Sequence, residues 1–185
     1  HTRAADILLD EAGYAGRVFV CIHAGANWGP KQWPIGRFAQ LADRLIERHG
    51  VGIVFTGAAR DAILIEQLRQ LMRQKTGTAN VAGKTSLLGL GALFKKATAV
   101  ISADSGPLHV AAAVGAHCVA LFGPTSESLT GPRGTGRCVI VRGNGDCPLP
   151  CYQEDCKDRK CMEAITVDAV FNATEEIMRA GSAAR

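Results

Sequence analysis

The sequence has few aromatic residues and no long apolar run. Phe, Trp and Tyr together make up 5% of the 185 residues, and they do not alternate with basic residues as nucleic-acid stacking platforms do. No apolar run approaches the roughly 20 residues that a membrane-spanning helix needs. These two absences exclude a nucleic-acid partner and an integral membrane protein as leading interpretations.

The chain also lacks a strong charge imbalance and a secretory signal. Its 21 basic and 17 acidic residues give a net charge of +4, which suits an anionic ligand or an anionic membrane surface. The first residues are polar, and Asp6, Asp10 and Glu11 interrupt any apolar segment that a signal peptide would require. We therefore expect a cytoplasmic protein.

Short apolar segments alternate with stretches of helical periodicity along the chain. Because these segments are apolar throughout, they fit a parallel sheet covered by helices on both faces. The pattern predicts strands over residues 18–22, 51–55, 80–82, 99–102, 118–122 and 138–141. It predicts helices over residues 4–12, 38–49, 64–72, 86–96 and 107–114, and a last helix that Thr166 caps. We predict a doubly wound, Rossmann-like α/β domain.

In such a sheet, ligands bind beyond the carboxyl ends of the strands. Residues 104–107 (Asp-Ser-Gly-Pro) leave the fourth predicted strand and enter a helix whose free N–H groups suit an anion. His109 adds a donor there, and Asp104 is placed to accept hydrogen bonds from sugar hydroxyls. The alternative interpretation is an ordinary helix start, with Asp104 or Ser105 as its cap.

The loop after the first predicted strand also has features that suit an anionic ligand. It contains Gly25 and Gly29, which let the backbone approach a ligand closely, and Lys31, whose charge suits a diphosphate. The alternative is a solvated lysine in a surface turn. A second apparent phosphate motif, residues 83–85 (Gly-Lys-Thr), is rejected as a P-loop because Thr78 stands where the first glycine belongs.

Four of the seven cysteines, Cys147, Cys151, Cys156 and Cys161, lie close together in the sequence. Four thiolates can hold zinc or an iron–sulfur cluster, and two disulfides could equally well staple this loop. The spacing matches neither a zinc ribbon nor a ferredoxin. We therefore favour stapling or free thiols over a metal, and we assign the cluster no catalytic role.

Five motifs occur in one order, at residues 23–34, 56–58, 80–85, 104–109 and 122–125. Together they resemble glycosyltransferase family 9, and within it the ADP-heptose:lipopolysaccharide heptosyltransferases, closest to the heptosyltransferase II group. The resemblance implies the C-terminal, donor-binding half of a two-domain GT-B enzyme. Residues 1–16 would then be an interdomain segment. Residues 17–185 would be the nucleotide-sugar-binding domain, including the Cys-rich loop 147–161.

The resemblance also implies the chemistry. It suggests an inverting transfer of heptose from ADP-heptose to the lipopolysaccharide inner core, without a cofactor or a metal. The catalytic base and the lipid-linked acceptor would belong to the other half of the enzyme, so this fragment alone would be inactive. The enzyme would be cytoplasmic, with peripheral association at the inner face of the inner membrane. The rival interpretations are a non-catalytic nucleotide- or metal-binding α/β module and half of a sugar-nucleotide epimerase.

Roles follow from the resemblance residue by residue. The residues implied to meet the diphosphate are Gly25, Ala26 and Lys31. Those implied to hold the diphosphate and the transferred sugar are Asp104, Ser105, Gly106 and His109. Those implied to contact the nucleoside are Gly83 and Thr85, near the base, and Asp61, a displaced candidate for the ribose.

Overall fold

A six-stranded sheet forms the centre of the computed structural model, which describes residues 2–14, 16–143 and 147–183. All five strand pairings are parallel, and the strand order is β3-β2-β1-β4-β5-β6. The strands are β1 (Phe19–His23), β2 (Gly52–Thr56), β3 (Thr78–Asn80), β4 (Ala99–Ala103), β5 (Cys118–Phe122) and β6 (Cys138–Arg142). This order is that of a Rossmann-like, doubly wound sheet, so the predicted fold class is confirmed.

Helices connect the strands and cover both faces of the sheet. They are α1 (Thr2–Glu11), α2 (Ile35–His49), α3 (Ala62–Leu71), α4 (Leu87–Lys96), α5 (Gly106–Ala113), α6 (Glu127–Thr130), α7 (Lys160–Glu163) and α8 (Val167–Ala183). Two 3-10 helices, Gly29–Lys31 and Ala59–Asp61, follow β1 and β2. Among the described residues, none of these helices has the length and apolarity to cross a membrane.

The core has two layers because successive side chains of each strand point to opposite faces. Val20 and Ile22 of β1 join the apolar cluster formed with α2, α3 and α8. Phe19 and Cys21 join the cluster formed with α1, α4 and α5. The uniformly apolar strands therefore serve two cores, as the sequence pattern indicates.

The third strand is the one misplaced element of the sheet. Residues 80–82 were expected to form it, but the strand is Thr78–Asn80, with Ile53 of β2 paired to Thr78. The Asn80 side-chain Oδ1 accepts a hydrogen bond from the Ala82 N–H at 3.1 Å where the strand ends. The chain stays beside β2 after that point, since the Val81 N–H donates to the Phe55 carbonyl and the Gly83 N–H donates to the Gly57 carbonyl, each at 2.9 Å.

The predicted domain division stays a prediction. Residues 1, 15, 144–146, 184 and 185 of the two predicted ranges lie outside the described residues. Helix α1, which lies in the predicted interdomain segment, packs on the domain itself, because Ala5 and Leu9 are buried in the second core layer. The Asp6 carboxylate also pairs with Lys96 Nζ of α4 at 2.8 Å.

Strands β1 and β4 neighbour each other at the centre of the sheet, where the chain reverses its direction of winding. His23, the last residue of β1, is paired with Ser102 of β4 and with Thr56 of β2. The loops that follow these strands diverge at such a switch point and leave a crevice at the carboxyl edge.

Candidate functional site

A cleft of about 330 Å³ lies at this switch point, between the loops after β1, β2 and β4 and the start of α4. Five of the ten binding residues assigned from the sequence line it: Gly25, Ala26, Asp61, Thr85 and Ser105. The other lining residues are His23, Asn27, Gly57, Ala58, Arg60, Ser86, Leu87, Leu90 and Pro107. The structure thus brings half of the assigned set to one cavity.

Helix α5 begins beside the cleft without a side-chain cap. Ser105 occupies the N-cap position, but its hydroxyl lies 3.0 Å from Ser102 Oγ and makes no capping bond to the backbone. Gly106 and Pro107 form the first turn, where the proline has no N–H to leave unpaired. The capped-helix alternative therefore does not describe this start, which keeps the anion-binding character of an open helix N-terminus.

Lys31 and Asp104 contact each other rather than lining the cleft. Lys31 Nζ lies 2.7 Å from Asp104 Oδ2, and the Asp104 side chain is only 4% exposed. His109 Nε2 stands 3.9 Å from the other carboxylate oxygen, Oδ1. Three residues that the sequence placed on a ligand thus form one charged group beside the cleft, with the buried carboxylate at its centre.

Asp61 occupies a space that two glycines leave open. A Cβ on Gly25 would stand 2.7 Å from Asp61 Oδ2, and a Cβ on Gly57 would stand 2.7 Å from Asp61 Cβ. The Oδ2 atom also accepts a hydrogen bond from the Ala58 N–H at 2.8 Å. The carboxylate is therefore fixed at the wall of the cleft by the backbone around it.

The segment after β3 contributes Thr85 to the cleft, while Gly83 lies against Ala59. Gly83 has a φ of +73°, and a Cβ there would stand 2.9 Å from the Ala59 Cα. Its requirement for glycine thus has a conformational and packing cause. Ser86 then caps α4, because its Oγ accepts a hydrogen bond from the Gly89 N–H at 3.1 Å.

His23 was not assigned to the site from the sequence, although it lines the cleft. Its Nδ1 lies 3.2 Å from Thr56 Oγ1. Burial lowers the pKa of His23 to about 4, against a smaller opposing effect of the Asp61 carboxylate. His23 is therefore neutral near pH 7. The available signal in the sequence is its position directly after the apolar run of residues 18–22.

Two further residues near the cleft have no role assigned from the sequence. The exposed Arg60 lines the cleft and hydrogen-bonds Asn27 from the facing loop, which sets a cation at the cleft wall. Thr130 of α6 donates a hydrogen bond to Asp104 Oδ2 at 3.1 Å. Arg60 adjoins Asp61 in the sequence, whereas nothing in the sequence links Thr130 to Asp104.

The four clustered cysteines line a second cavity, of about 340 Å³, which Pro30 and Pro124 also border. All four are free thiols. Burial raises the pKa of the Cys161 thiol, and the nearby Cys147 and Cys156 thiols raise it further. Within the described parts of the chain, no group of three or more potential ligands is arranged to hold a metal ion. The predicted absence of a metal role stays a prediction.

Comparison with known proteins relates this chain to one family. Residues 2–162 match glycosyltransferase family 9 (heptosyltransferase). Lipooligosaccharide heptosyltransferase 2 of Haemophilus influenzae is 40% identical over 121 residues, which are 64% of this chain and 34% of that protein. Its Haemophilus ducreyi namesake is 36% identical over 153 residues, 76% of this chain and 43% of that protein.

The solved structure of the E. coli ADP-heptose lps heptosyltransferase II has the same fold. It matches with a TM-score of 0.83 and 25% identity, over 97% of this chain and 52% of that one. The chain thus spans about half or less of the length of these relatives. The family match covers most of the chain, including the strand ends that form the cleft. This chain therefore belongs to glycosyltransferase family 9.

Proposed function

We propose that this chain is the donor-binding domain of an inverting glycosyltransferase that transfers heptose from ADP-heptose to the lipopolysaccharide inner core. The observation that carries the proposal is the cleft at the β1/β4 switch point, in a chain that belongs to this family. The names of the relatives supply the sugar, the nucleotide and the acceptor class. An epimerase half-domain or a non-catalytic module is not favoured by these relatives.

The diphosphate would lie against the start of α5, near Gly25 and Ala26. Backbone N–H groups at an uncapped helix start favour an anion. Lys31 is available next to this position, held at 2.7 Å from Asp104. A diphosphate would compete with that carboxylate for the ammonium group, and Arg60 would add a second cation from the opposite wall of the cleft.

The nucleoside would occupy the other end of the cleft. Asp61 is an acceptor suited to ribose hydroxyls, because the backbone already holds its carboxylate in place. Thr85 supplies a hydroxyl, and Leu87 and Leu90 supply apolar surface for a base. Leu87 is 67% exposed in this chain, so covering it would remove apolar area from water.

In the proposed reaction, this domain orients the donor and stabilises the leaving group. As the bond between the sugar and the diphosphate breaks, negative charge grows on the departing ADP. Lys31, His109 and the start of α5 would offset that charge at fixed positions. The base that deprotonates the acceptor hydroxyl would come from outside this chain, and we propose no cofactor.

The setting proposed for the enzyme is the cytoplasm, with peripheral association at the inner face of the inner membrane. The net charge of +4 supports an encounter with an anionic lipid-linked acceptor there. Vesicle flotation of the chain, with and without anionic lipid, measures this association directly.

Calorimetric titration of the chain with ADP, UDP, GDP and ADP-heptose tests the donor assignment. We expect ADP to bind more tightly than the other diphosphates, and ADP-heptose to bind at least as tightly as ADP. Lys31→Gln should weaken ADP binding about tenfold, because a hydrogen bond between charged groups is lost. Lys157→Gln, which removes a lysine from the wall of the cysteine cavity, is the matched control and should leave ADP binding unchanged. Equal affinity for all four ligands, or no effect of Lys31→Gln, would contradict the assignment.

A further inference from the structure

The Asp104 carboxylate receives two hydrogen bonds on the same oxygen. Lys31 Nζ stands 2.7 Å from Oδ2, and Thr130 Oγ1 stands 3.1 Å from the same atom. Among the described residues, the other oxygen, Oδ1, has only the distant His109 Nε2, at 3.9 Å. Two donors on Oδ2 fix the rotation of the carboxylate and leave Oδ1 as the oxygen with capacity to accept from a ligand.

Thr130 has one hydroxyl proton and two acceptors within reach. Besides Asp104 Oδ2, its Oγ1 lies 3.2 Å from the Ser126 carbonyl oxygen, four residues earlier in the chain. The carboxylate is the nearer acceptor and carries a charge, so it is the stronger partner of the two. The hydroxyl therefore donates preferentially to Asp104, and the Ser126 carbonyl is the weaker, alternative acceptor.

The short helix that carries Thr130 is held against the edge of the sheet. Glu127, in its first turn, forms an ion pair with Arg142 at the end of β6. The Arg142 guanidinium also donates to the Thr125 carbonyl at 3.2 Å, just before the helix. These contacts keep Thr130 in reach of Asp104, although its own side chain is exposed.

We infer that Thr130 is a positioning residue for Asp104, which keeps that carboxylate oriented toward the transferred sugar when Lys31 turns to the diphosphate. The inference rests on the proposed function, since it requires a nucleoside diphosphate sugar in the cleft. When Lys31 shares its charge with the phosphates, Asp104 loses its strongest partner while remaining buried. The Thr130 hydroxyl stays on Oδ2 and holds the carboxylate in the rotation that leaves Oδ1 available to a sugar hydroxyl.

The sugar moiety of the ligand distinguishes this role from a structural one. Asp104 is assigned to the sugar. The loss of its orientation should therefore weaken the binding of ADP-heptose and leave the affinity for ADP unchanged. A general loss of folding would weaken both ligands equally. The ratio of the two dissociation constants is therefore the informative quantity.

The test is calorimetric titration of the chain and its variants with ADP and with ADP-heptose. Thr130→Val keeps the shape of the side chain but removes the hydroxyl, and should weaken ADP-heptose binding about tenfold with ADP affinity unchanged. Thr130→Ser keeps the hydroxyl and should restore ADP-heptose binding. Thr135→Val makes the same change at another exposed threonine and should alter neither affinity.

The outcomes separate the two levels of the proposal. If the chain binds both ligands and Thr130→Val changes their ratio no more than Thr135→Val does, the positioning role is wrong while the donor site stands. A loss that Thr130→Ser fails to restore also overturns it. If the chain binds neither ligand, the donor site itself is wrong, and the positioning role falls with it.

Discussion

At the scale of single residues, Gly25 and Gly57 are required because Asp61 takes up the space beside them. The distance of 2.7 Å between a Cβ on Gly25 and Asp61 Oδ2 is shorter than any ordinary contact. The sequence alone suggests only a close approach of the backbone to a ligand. The structure shows a second reason for glycine at these positions, because the Asp61 side chain occupies the space that a Cβ would need.

Gly25→Ala should therefore displace Asp61 from the cleft wall. We expect ADP affinity to fall about tenfold through the loss of a charged hydrogen bond, and the free energy of unfolding to fall by about 1 kcal/mol. Gly29→Ala is the matched control, because a Cβ there meets nothing within 4 Å. Calorimetry and urea unfolding measure the two effects, and equal behaviour of the two variants would refute this account of Gly25.

His23 should make the stability of the chain depend on pH in one direction. Its pKa is lowered from 6.5 to about 4 in the folded state by burial, so the unfolded chain takes up the proton first as the pH falls. Its contribution to stability is therefore complete above pH 6.5 and is lost between about pH 6.5 and 4.

Urea unfolding at pH 7, 5.5 and 4 checks this prediction, with His23→Asn as the reference variant. The unmodified chain should lose up to about 3 kcal/mol more than the variant between pH 7 and pH 4. Carboxylates that titrate in the same range contribute to both proteins and cancel in the difference. Parallel pH profiles would show that His23 is not held neutral in the folded chain.

At the scale of secondary structure, the sequence predicts the strands and helices that have a clear apolar run or a glycine stop. The strands β1, β2, β4, β5 and β6 are each predicted to within one residue at either end. Helix α2 also ends as expected, since Gly50 follows it in the left-handed conformation, with a φ of 63°. Apolar runs and a glycine stop are local signals, so local reasoning finds them.

The short elements lack such signals. The α6 helix has four residues, and the 3-10 helices after β1 and β2 have three each. One turn is too short to display a periodicity, and tertiary contacts decide whether it forms. The Lys31–Asp104 pair also depends on a tertiary contact. Its members lie 73 residues apart, so no local pattern in the sequence reveals it. Sequence reasoning thus found the loops of the site but not the contacts between them.

Gly50, which follows helix α2, and Gly36, within it, give a matched test of the predicted end of this helix. Gly50→Ala forces a side chain into a φ of 63° and should lower the free energy of unfolding by about 1 kcal/mol. Gly36 lies in the first turn of the helix, with no atom within 4 Å of an added Cβ. Gly36→Ala should leave stability unchanged or raise it by up to about 1 kcal/mol. Effects of the same sign and size would contradict the assignment of the helix end.

At the scale of the whole molecule, the chain holds a cleft at the β1/β4 switch point but spans only part of the length of its relatives. It covers 52% of the E. coli structure that it matches and 43% of the Haemophilus ducreyi protein. In the proposed scheme, Asp104 accepts from Thr130 on Oδ2 and from the sugar on Oδ1, which leaves it poorly suited to take a proton from an acceptor. A base within hydrogen-bond reach of the acceptor hydroxyl is needed for transfer.

The isolated chain should therefore bind the donor without transferring the sugar. Incubation with ADP-heptose and a heptose-deficient lipopolysaccharide core acceptor should give no glycosylated product by mass spectrometry. The control adds the remaining part of the enzyme and should restore transfer. Product formed by the chain alone, and abolished by Asp104→Asn, would place the base within this chain.

The central claim is that ADP-heptose occupies the cleft at the β1/β4 switch point. Two-dimensional amide NMR of the labelled chain, titrated with ADP-heptose, tests it most directly. We predict that the amide signals of Gly25, Ala26, Gly57 and Ser105 shift and saturate together, while those of Cys151 and Cys161 at the second cavity stay in place. Shifts confined to the cysteine cavity, or no saturable shift at the strand ends, would contradict the account.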